Sequence, residues 1–256
     1  MNIAVVLCAG FATRMHPLTK AFPKPLLEVA GRPVIDYLMD QLVELPNLES
    51  IYLVSNGKFY SHFVAWKQGW EANHRSRHPA IALLNDGAMD NDHRLGACAD
   101  LQHVLKMIPE ATRLLVTAGD NIYRFGIKPI WEQFLERNQH YIVALPETDR
   151  KKLSKTGVLE MTRNDRVNRL FEKPTHPPSE WFCPPLYFFQ STVLRRLNAF
   201  LEDHVNTDAP GYFIDFLCRK ESVYAFRMHA SRLDIGSIES YWAADHYLRN
   251  NPLKEQ

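Results

Sequence analysis

The sequence lacks any apolar run near the ~20 residues needed to span a bilayer. Its first residues, Met1-Asn2-Ile3-Ala4-Val5-Val6-Leu7-Cys8, carry no basic n-region and read as a buried strand rather than a leader. A cytoplasmic chain with no membrane partner is therefore expected. Charge excess is also missing. There are 30 Lys plus Arg against 29 Asp plus Glu, a net charge of +1. That balance argues against a surface built to coat nucleic acid, which is usually markedly basic, although it leaves room for a local phosphate site. None of the four cysteines, Cys8, Cys98, Cys183 and Cys218, belongs to a C-x-x-C pair. Zinc-site spacing is absent, and reduced core thiols are expected. No internal repeat, low-complexity tract or interdomain linker is found.

Short apolar runs alternate with amphipathic stretches. This pattern predicts an α/β fold, Rossmann-like and three-layered, with a mainly parallel mixed sheet. Strands are expected at 3–7, 51–54, 81–84, 114–117 and 141–145. Helices are expected from Pro33 through Leu45, at 101–108, 130–137, 193–201, 212–217 and 238–248. A hairpin is predicted to turn at Asn164-Asp165, between 158–163 and 167–172, and further strands are expected at 186–189 and 223–227. The second half thus adds antiparallel strands. A single domain is expected over 1–250, in two halves at 1–148 and 149–250 that differ in character, with a tail at 251–256. Tyr60, Phe63, Trp66 and Trp70 recur at helical spacing and read as core. His74 and His78 lie in a polar stretch that reads as a solvated loop rather than a metal site.

Four segments can carry chemistry. Leu7 to Thr19 leads from a strand into a loop of small residues bearing Arg14. Small side chains let backbone N–H groups approach a phosphate, and arginine offers a planar donor fork. Pro23-Lys24-Pro25 stiffens the chain around one cation. The same residues also suit a solvated turn with incidental charges. Neither G-x-G-x-x-G, nor G-x-x-x-x-G-K-[ST], nor H-x-G-H occurs. Gly119-Asp120-Asn121 follows a buried strand, where the aspartate can hold Mg²⁺ or simply form a turn. Asp234 stands before Ser237, which is placed to cap the last helix, with Glu239 in its first turn. Glu172-Lys173-Pro174 closes the hairpin, either as a hydroxyl acceptor beside a phosphate-binding cation or as an ordinary exposed strand end.

The order of these blocks resembles the sugar-1-phosphate nucleotidyltransferases, a family that includes glucose-1-phosphate thymidylyl-, uridylyl- and cytidylyltransferases and mannose-1-phosphate guanylyltransferases. The family's L-A-A-G-x-G-T-R-M-x-P-L-T is similar to Leu7–Thr19, and its P-K-P-L-L-x-V-x-G-x-P to Pro23–Pro33. Its G-D-N falls on Gly119-Asp120-Asn121 and its E-K-P on Glu172-Lys173-Pro174. Its D-I-G-T-P-E-x-Y falls on Asp234 to Tyr241. The likeness runs from residue 3 to about 245.

The resemblance implies an Mg²⁺-dependent enzyme whose partners are a nucleoside triphosphate and a sugar 1-phosphate, and it leaves room for a homo-oligomer. It implies that Arg14 and Lys24 bind the triphosphate and, with Asp120, form the catalytic set. Asp120 and Asp234 would hold Mg²⁺. Leu7, Ala9, Gly10 and Thr13 would contact the nucleotide, together with the base-reading segment Asn85-Asp86-Gly87 and the turn at Gly96. Gly157, Glu172 and Lys173 would bind the sugar phosphate.

Three departures stand out. Ala12 replaces the second glycine of the loop, Pro185 replaces a glycine before a late strand, and the Q-x-x-P-x-G pattern of thymidylyltransferases is missing. The base is therefore left open. The length leads us to expect no appended β-helix acetyltransferase domain. Two rival readings share the fold: CTP-dependent activation of a non-sugar phosphate or phosphonate, and a silent nucleotide-sugar sensor.

Overall fold

The computed structural model describes residues 1–74, 78–203 and 207–253. In chain order, the first half contains β1 (Asn2–Leu7), β2 (Glu28–Val29), β3 (Arg32–Pro33), α1 (Val34–Val43), β4 (Ser50–Ser55), α2 (Tyr60–Asn73), β5 (Ala80–Asn85), α3 (Ala97–Met107), β6 (Arg113–Ala118), β7 (Asn121–Tyr123), α4 (Lys128–Leu135) and β8 (His140–Pro146). The second half follows with α5 (Arg150–Leu153), β9 (Gly157–Met161), β10 (Val167–Glu172), β11 (Trp181–Cys183), β12 (Leu186–Gln190), α6 (Val193–Asp203), α7 (Pro210–Lys220), β13 (Val223–Arg227), β14 (Arg232–Asp234) and α8 (Ile238–Asn250).

One sheet runs in the order β10-β9-β11-β8-β12-β6-β1-β4-β5, with β13 added beside β8. Strands β6, β1, β4 and β5 are mutually parallel, whereas β12, β11, β9 and β10 pair antiparallel. The mixed α/β architecture expected from the alternation is thus present. Along β1 the side chains alternate between layers, as the period of two requires. Ala4 and Val6 join the cluster with Leu38, Phe63 and Trp131, and Ile3 and Val5 join the one with Leu101, Leu197 and Leu217. Each such fully buried side chain contributes about 1.5–3 kcal/mol by leaving water. Among the described residues, no helix is long and apolar enough to cross a membrane.

The chain order fixes where a ligand can bind. It runs outward from β1 to β4 and β5, then jumps back across β1 to β6. The carboxyl ends of β1 and β6 therefore diverge into a crevice, the usual binding position in open α/β sheets. A third, smaller cluster, including Met15, Val29, Val34, Ile122, Ile235, Tyr241 and Leu248, fastens α8 over the loop after β1. There the Tyr241 hydroxyl donates to Glu28 O at 2.7 Å, and Ala30 N donates to the Asp245 carboxylate at 2.7 Å.

Several details differ from the sequence reading. Pro33 does not open the helix. It is extended (φ −51°, ψ 137°), pairs with Glu28 and occupies the N-cap position of α1. The same helix stops at Val43, because the residue before Pro46 disfavours helical backbone. Buried Leu45 lies beyond it. His74 and His78 are not freely solvated: the first stacks on Trp70 at 3.9 Å between ring centroids, and the second meets the same ring edge-on at 5.2 Å. Residues 75–77, between them, lie outside the described residues, as do 254–256 of the expected tail. All four cysteines are free and buried.

Candidate active site

The loop after β1 stays irregular because its residues must bend sharply. Ala12 adopts a left-handed backbone (φ 49°, ψ 43°) and precedes a short turn at Thr13–Met15. The Thr19 hydroxyl donates to Ala12 O at 2.8 Å, and Asn56 Nδ2 donates to Ala9 O at 2.9 Å. The family's glycine thus answers a real conformational demand, which alanine meets here at about 1–2 kcal/mol of strain. A Cβ built on Gly10 would meet nothing within 4 Å, so the backbone there borders open space. Arg14 is exposed and, among the described residues, engages no hydrogen bond or ion pair.

Lys24 has the opposite setting. It lies 8% exposed in a second short turn between its two prolines. Its ammonium meets Asp120 Oδ2 at 2.6 Å. Asp120 follows β6, and its other oxygen accepts from Asn121 Nδ2 at 2.7 Å. Gly119 is needed at this point, since a Cβ would come within 2.4 Å of Cys8 Sγ. Burial pushes the Asp120 carboxyl up, but the Lys24 ammonium and the nearby Arg232 outweigh it and hold the group below its ordinary range.

Asp234 reaches the same place through a pairing that the sequence reading missed. Strands β14 and β7 run antiparallel with Asp234 opposite Asn121. Asp120, immediately before β7, and Asp234, 114 positions later, are thereby brought to the same end of this strand pair. Arg232 stands two residues before Asp234 and shares its strand face. Its guanidinium donates to Asn121 Oδ1, and to Asp234 Oδ1 at 3.3 Å, and lies over the Phe182 ring at 5.5 Å. Position i−2 on a short strand was the signal that could have found it. Ser237 caps α8 in a capping box with Ser240, as its position suggested.

The β14–β7 pairing brings two carboxylate-bearing residues, each a source of hard oxygen donors, to neighbouring stretches of backbone. Among the described residues, no group of three or more His, Cys, Asp or Glu is gathered to cage a metal. A donor set of one or two carboxylates, to be completed by phosphate oxygens and water, suits Mg²⁺.

Glu172 ends β10 opposite Gly157, which also pairs with Cys183. Its side chain is only 12% exposed, so it is no ordinary exposed strand end. A Cβ on Gly211, in the first turn of α7, would collide with Glu172 Oε2, and one on Gly157 would come within 3.4 Å of it. Two glycines therefore make room for this carboxylate. Burial raises its pKa, and Lys173, exposed with its ammonium 3.7 Å away, pulls the other way. Lys173 itself sits at φ 48°. The Cys183 thiol feels both Glu172 and Arg232, which places it between the two clusters. Pro185 is absorbed into the frame: its carbonyl accepts from Ala118 N at 3.3 Å and from the Tyr123 hydroxyl at 3.0 Å.

A third group lines the end of β5. Asn85 Oδ1 accepts from Gly87 N at 2.8 Å in a tight turn, with Gly87 at φ 83°. Gly96, at φ 90°, starts α3 against Asp208, whose Cα would lie 3.0 Å from a Cβ there.

With this geometry in place, comparison with known proteins is direct. A family model described as nucleotidyl transferase matches residues 3–251. The UTP–glucose-1-phosphate uridylyltransferase AglF of Haloferax volcanii is 26% identical over 249 residues, covering 96% of each chain. The bifunctional protein GlmU of Methanocaldococcus jannaschii is also 26% identical over 249 residues, and this chain spans 54% of its length. A UDP-glucose pyrophosphorylase from Acinetobacter baumannii superposes with a TM-score of 0.78 at 20% identity, covering 99% of this chain and 95% of that one, a likeness of fold.

Proposed function

The chain belongs to the nucleotidyl transferase family, and on that premise we propose that it transfers a nucleoside monophosphate from a nucleoside triphosphate to a sugar 1-phosphate, releasing pyrophosphate. The observation that carries this reading is the Lys24–Asp120 pair at the crevice, with Asp234 brought beside it by the β14–β7 pairing. A cation and two carboxylates there suit a triphosphate and its metal.

An acceptor phosphate oxygen attacks the α-phosphorus, and pyrophosphate departs from the opposite side. The substrates supply both nucleophile and leaving group, so no covalent intermediate on the protein is needed. Catalysis then rests on alignment and charge neutralisation. Lys24 and the free Arg14 bind the triphosphate and offset its charge. Asp120 and Asp234 hold Mg²⁺, which neutralises phosphate charge when bound. Leu7, Ala9, Gly10 and Thr13 border the nucleotide, and Asn85, Gly87 and Gly96 form the wall for its base. Residues 1–148 thus serve the nucleotide and 149–250 the acceptor.

Glu172 supports the sugar assignment. It is a largely buried carboxylate with one exposed cation beside it, so it has acceptor capacity left for hydroxyls. Lys173 is placed to meet the phosphate carried by the same molecule. A site built to receive hydroxyls rejects ligands that lack them, because its polar group is then left unpaired.

The test is a pyrophosphate-release screen. Each common nucleoside triphosphate is paired with aldose 1-phosphates, phosphocholine and 2-aminoethylphosphonate. Turnover with at least one aldose 1-phosphate is expected, and Glu172→Ala should damage that reaction more than triphosphate binding. Turnover only with the non-sugar acceptors would overturn the sugar assignment. Binding of triphosphate with silence toward every acceptor would mark a sensor.

A further inference from the structure

Two carboxyl groups meet beneath the wall assigned to the base, and the transfer chemistry uses neither. Asp86 follows β5, and its backbone N–H donates to Ser55 O at 3.0 Å. Its Oδ1 accepts from Ala88 N at 2.8 Å and so ties down the turn that contains Gly87. Asp100 lies in the first turn of α3, 3% exposed, with its N–H donating to Gly96 O at 3.0 Å. The two side chains lie within hydrogen-bonding reach of one another. Asp86 Oδ2 and Asp100 Oδ1 are buried without a hydrogen-bond partner of ordinary geometry, and besides Ala88 the Gly57 backbone N–H also favours the Asp86 carboxylate.

Two carboxylate oxygens are both acceptors, so a bond between them requires a proton on one. The surroundings favour keeping that proton. Asp208 faces Asp100 from the segment before α7, with its own charge engaged by Arg94 at 3.0 Å. The Cys98 thiol is buried on the same helix and is raised partly by Asp100. His103, exposed one turn further along α3, also faces Asp86. Burial first, then the charges of Asp86 and Asp208, push Asp100 up to about 7.

We propose that Asp100 is a positioning residue for the nucleotide base: as a neutral acid it donates its proton to Asp86 and so latches the turn 85–88 to the first turn of α3. The latch sets the gap between Asn85–Gly87 and Gly96. It rests on the assignment of those segments to the nucleotide. Loss of the proton to solvent leaves two anions facing each other, and the turn separates from α3. The slot is then tightest below neutrality and loosens as the pH rises through the value of Asp100.

Hydrogen exchange at the Ala88 amide, measured on the full chain at pH 6 and pH 8.5, reads the latch without any nucleotide. After correction for intrinsic exchange, wild-type protection should fall about tenfold, while Asp100→Asn stays protected at both pH values, because its amide donates to Asp86 regardless of pH. Asp86→Asn offers the same donor from the other side and should behave alike, should one variant fold poorly. Binding of UTP and of GTP with Mg²⁺ is then followed by calorimetry on the same proteins. The affinity of whichever binds should weaken about tenfold over this interval in wild type and stay level in Asp100→Asn. Protection at Ala88 that does not change with pH in wild type overturns the latch. A titrating latch with level nucleotide affinity overturns its role in base positioning. Pyrophosphate release on the same samples separates these failures from failure of the transferase reading, since release can persist in either case.

Discussion

The two walls of the proposed nucleotide site, one proposed for the phosphates and one for the base, hold charge in opposite ways. At the phosphate wall, carboxylates are matched with cations: Asp120 with Lys24, and Asp234 with Arg232. At the base wall, Asp86 meets Asp100, a like-charged partner, and Arg94 is already engaged by Asp208. The first arrangement suits ligands that bring charge, since ion pairs can be exchanged for phosphate and metal contacts. The second suits a neutral heterocycle, since a shared proton removes one charge. The two walls therefore titrate in opposite senses: burial is outweighed at Asp120 and reinforced at Asp100.

The largest effect expected from breaking this contrast is at the phosphate wall. Asp120→Asn keeps the shape and removes the charge, and turnover should fall by about 10²–10³, as when comparable electrostatic groups are removed. Asp234→Asn should act in the same direction. Lys24→Ala should lower turnover and also destabilise the fold by about 1–3 kcal/mol, because Asp120 loses its charged partner. The carboxylate is 30% exposed, so solvent softens that loss. Lys24→Arg should rescue only partly, since a planar fork does not replace a point charge between two prolines. Steady-state kinetics with denaturation midpoints check these expectations. Full turnover by Asp234→Asn at limiting Mg²⁺ would reduce Asp234 to a residue of the α8 approach.

Arg232 sharpens the contrast further. Its guanidinium reaches the Asp234 carboxylate proposed to hold the metal, so Arg232→Met removes a competitor as well as a cation near Asp120. Turnover should fall about tenfold, the scale of one charge-assisted hydrogen bond. The Mg²⁺ concentration for half-maximal rate should also fall. Mn²⁺ binding followed by electron paramagnetic resonance should tighten in the same variant. Unchanged Mn²⁺ affinity would show that the arginine does not compete.

Arg232 also marks how far the sequence could be read. Arg14, Lys24, Asp120, Glu172 and Asp234 were visible because each sits in a short ordered block, and blocks survive in one dimension. The parallel half of the sheet was visible because buried strands are continuous apolar runs. What escaped depended on pairing. Strands β7 and β14 are three residues each, too short for any periodicity, yet they alone bring Asp234 to Asp120. Gly211 lay just outside the helix expected at 212–217 and carried no signal, yet it leaves space for Glu172. Asp100 lay just before the helix expected at 101–108 and carried no signal, because its meaning depends on Asp86, which comes from another element. His74 and His78 looked solvated because their neighbours in sequence are polar, while their neighbour in space is Trp70.

The base wall should show its sign in stability against pH. Asp100 has an ordinary value of 3.8 and is raised to about 7 in the fold. Between these values the unfolded chain has released its proton and the folded chain keeps it, so unfolding becomes easier as the pH rises. The loss begins near pH 4 and is complete above about 7. Asp120, being lowered, works the other way: its contribution is present above 3.8 and is lost as the pH falls through its folded value. Urea midpoints of wild type and Asp100→Asn should therefore diverge between pH 4 and 7, wild type losing more. Parallel curves would mean that Asp100 carries no proton in the fold.

The smallest expected effect concerns Ala12, in the loop proposed to border the triphosphate. The left-handed backbone strains alanine by about 1–2 kcal/mol. Glycine would relieve that strain but would give the unfolded chain more freedom, worth about 0.4–1 kcal/mol in the opposite direction. The net gain for Ala12→Gly is then at most about 1.6 kcal/mol, or about 3–6 °C in Tm for a chain of this size. Differential scanning calorimetry resolves such a shift. The kinetic expectation separates two meanings of the methyl group. If it only strains the loop, Ala12→Gly is more stable and its KM for triphosphate is unchanged. If it also narrows the nucleotide pocket, KM falls for the larger purine triphosphates and not for pyrimidines. The second outcome would make Ala12 part of base selection, on the phosphate wall and independent of the carboxyl pair opposite.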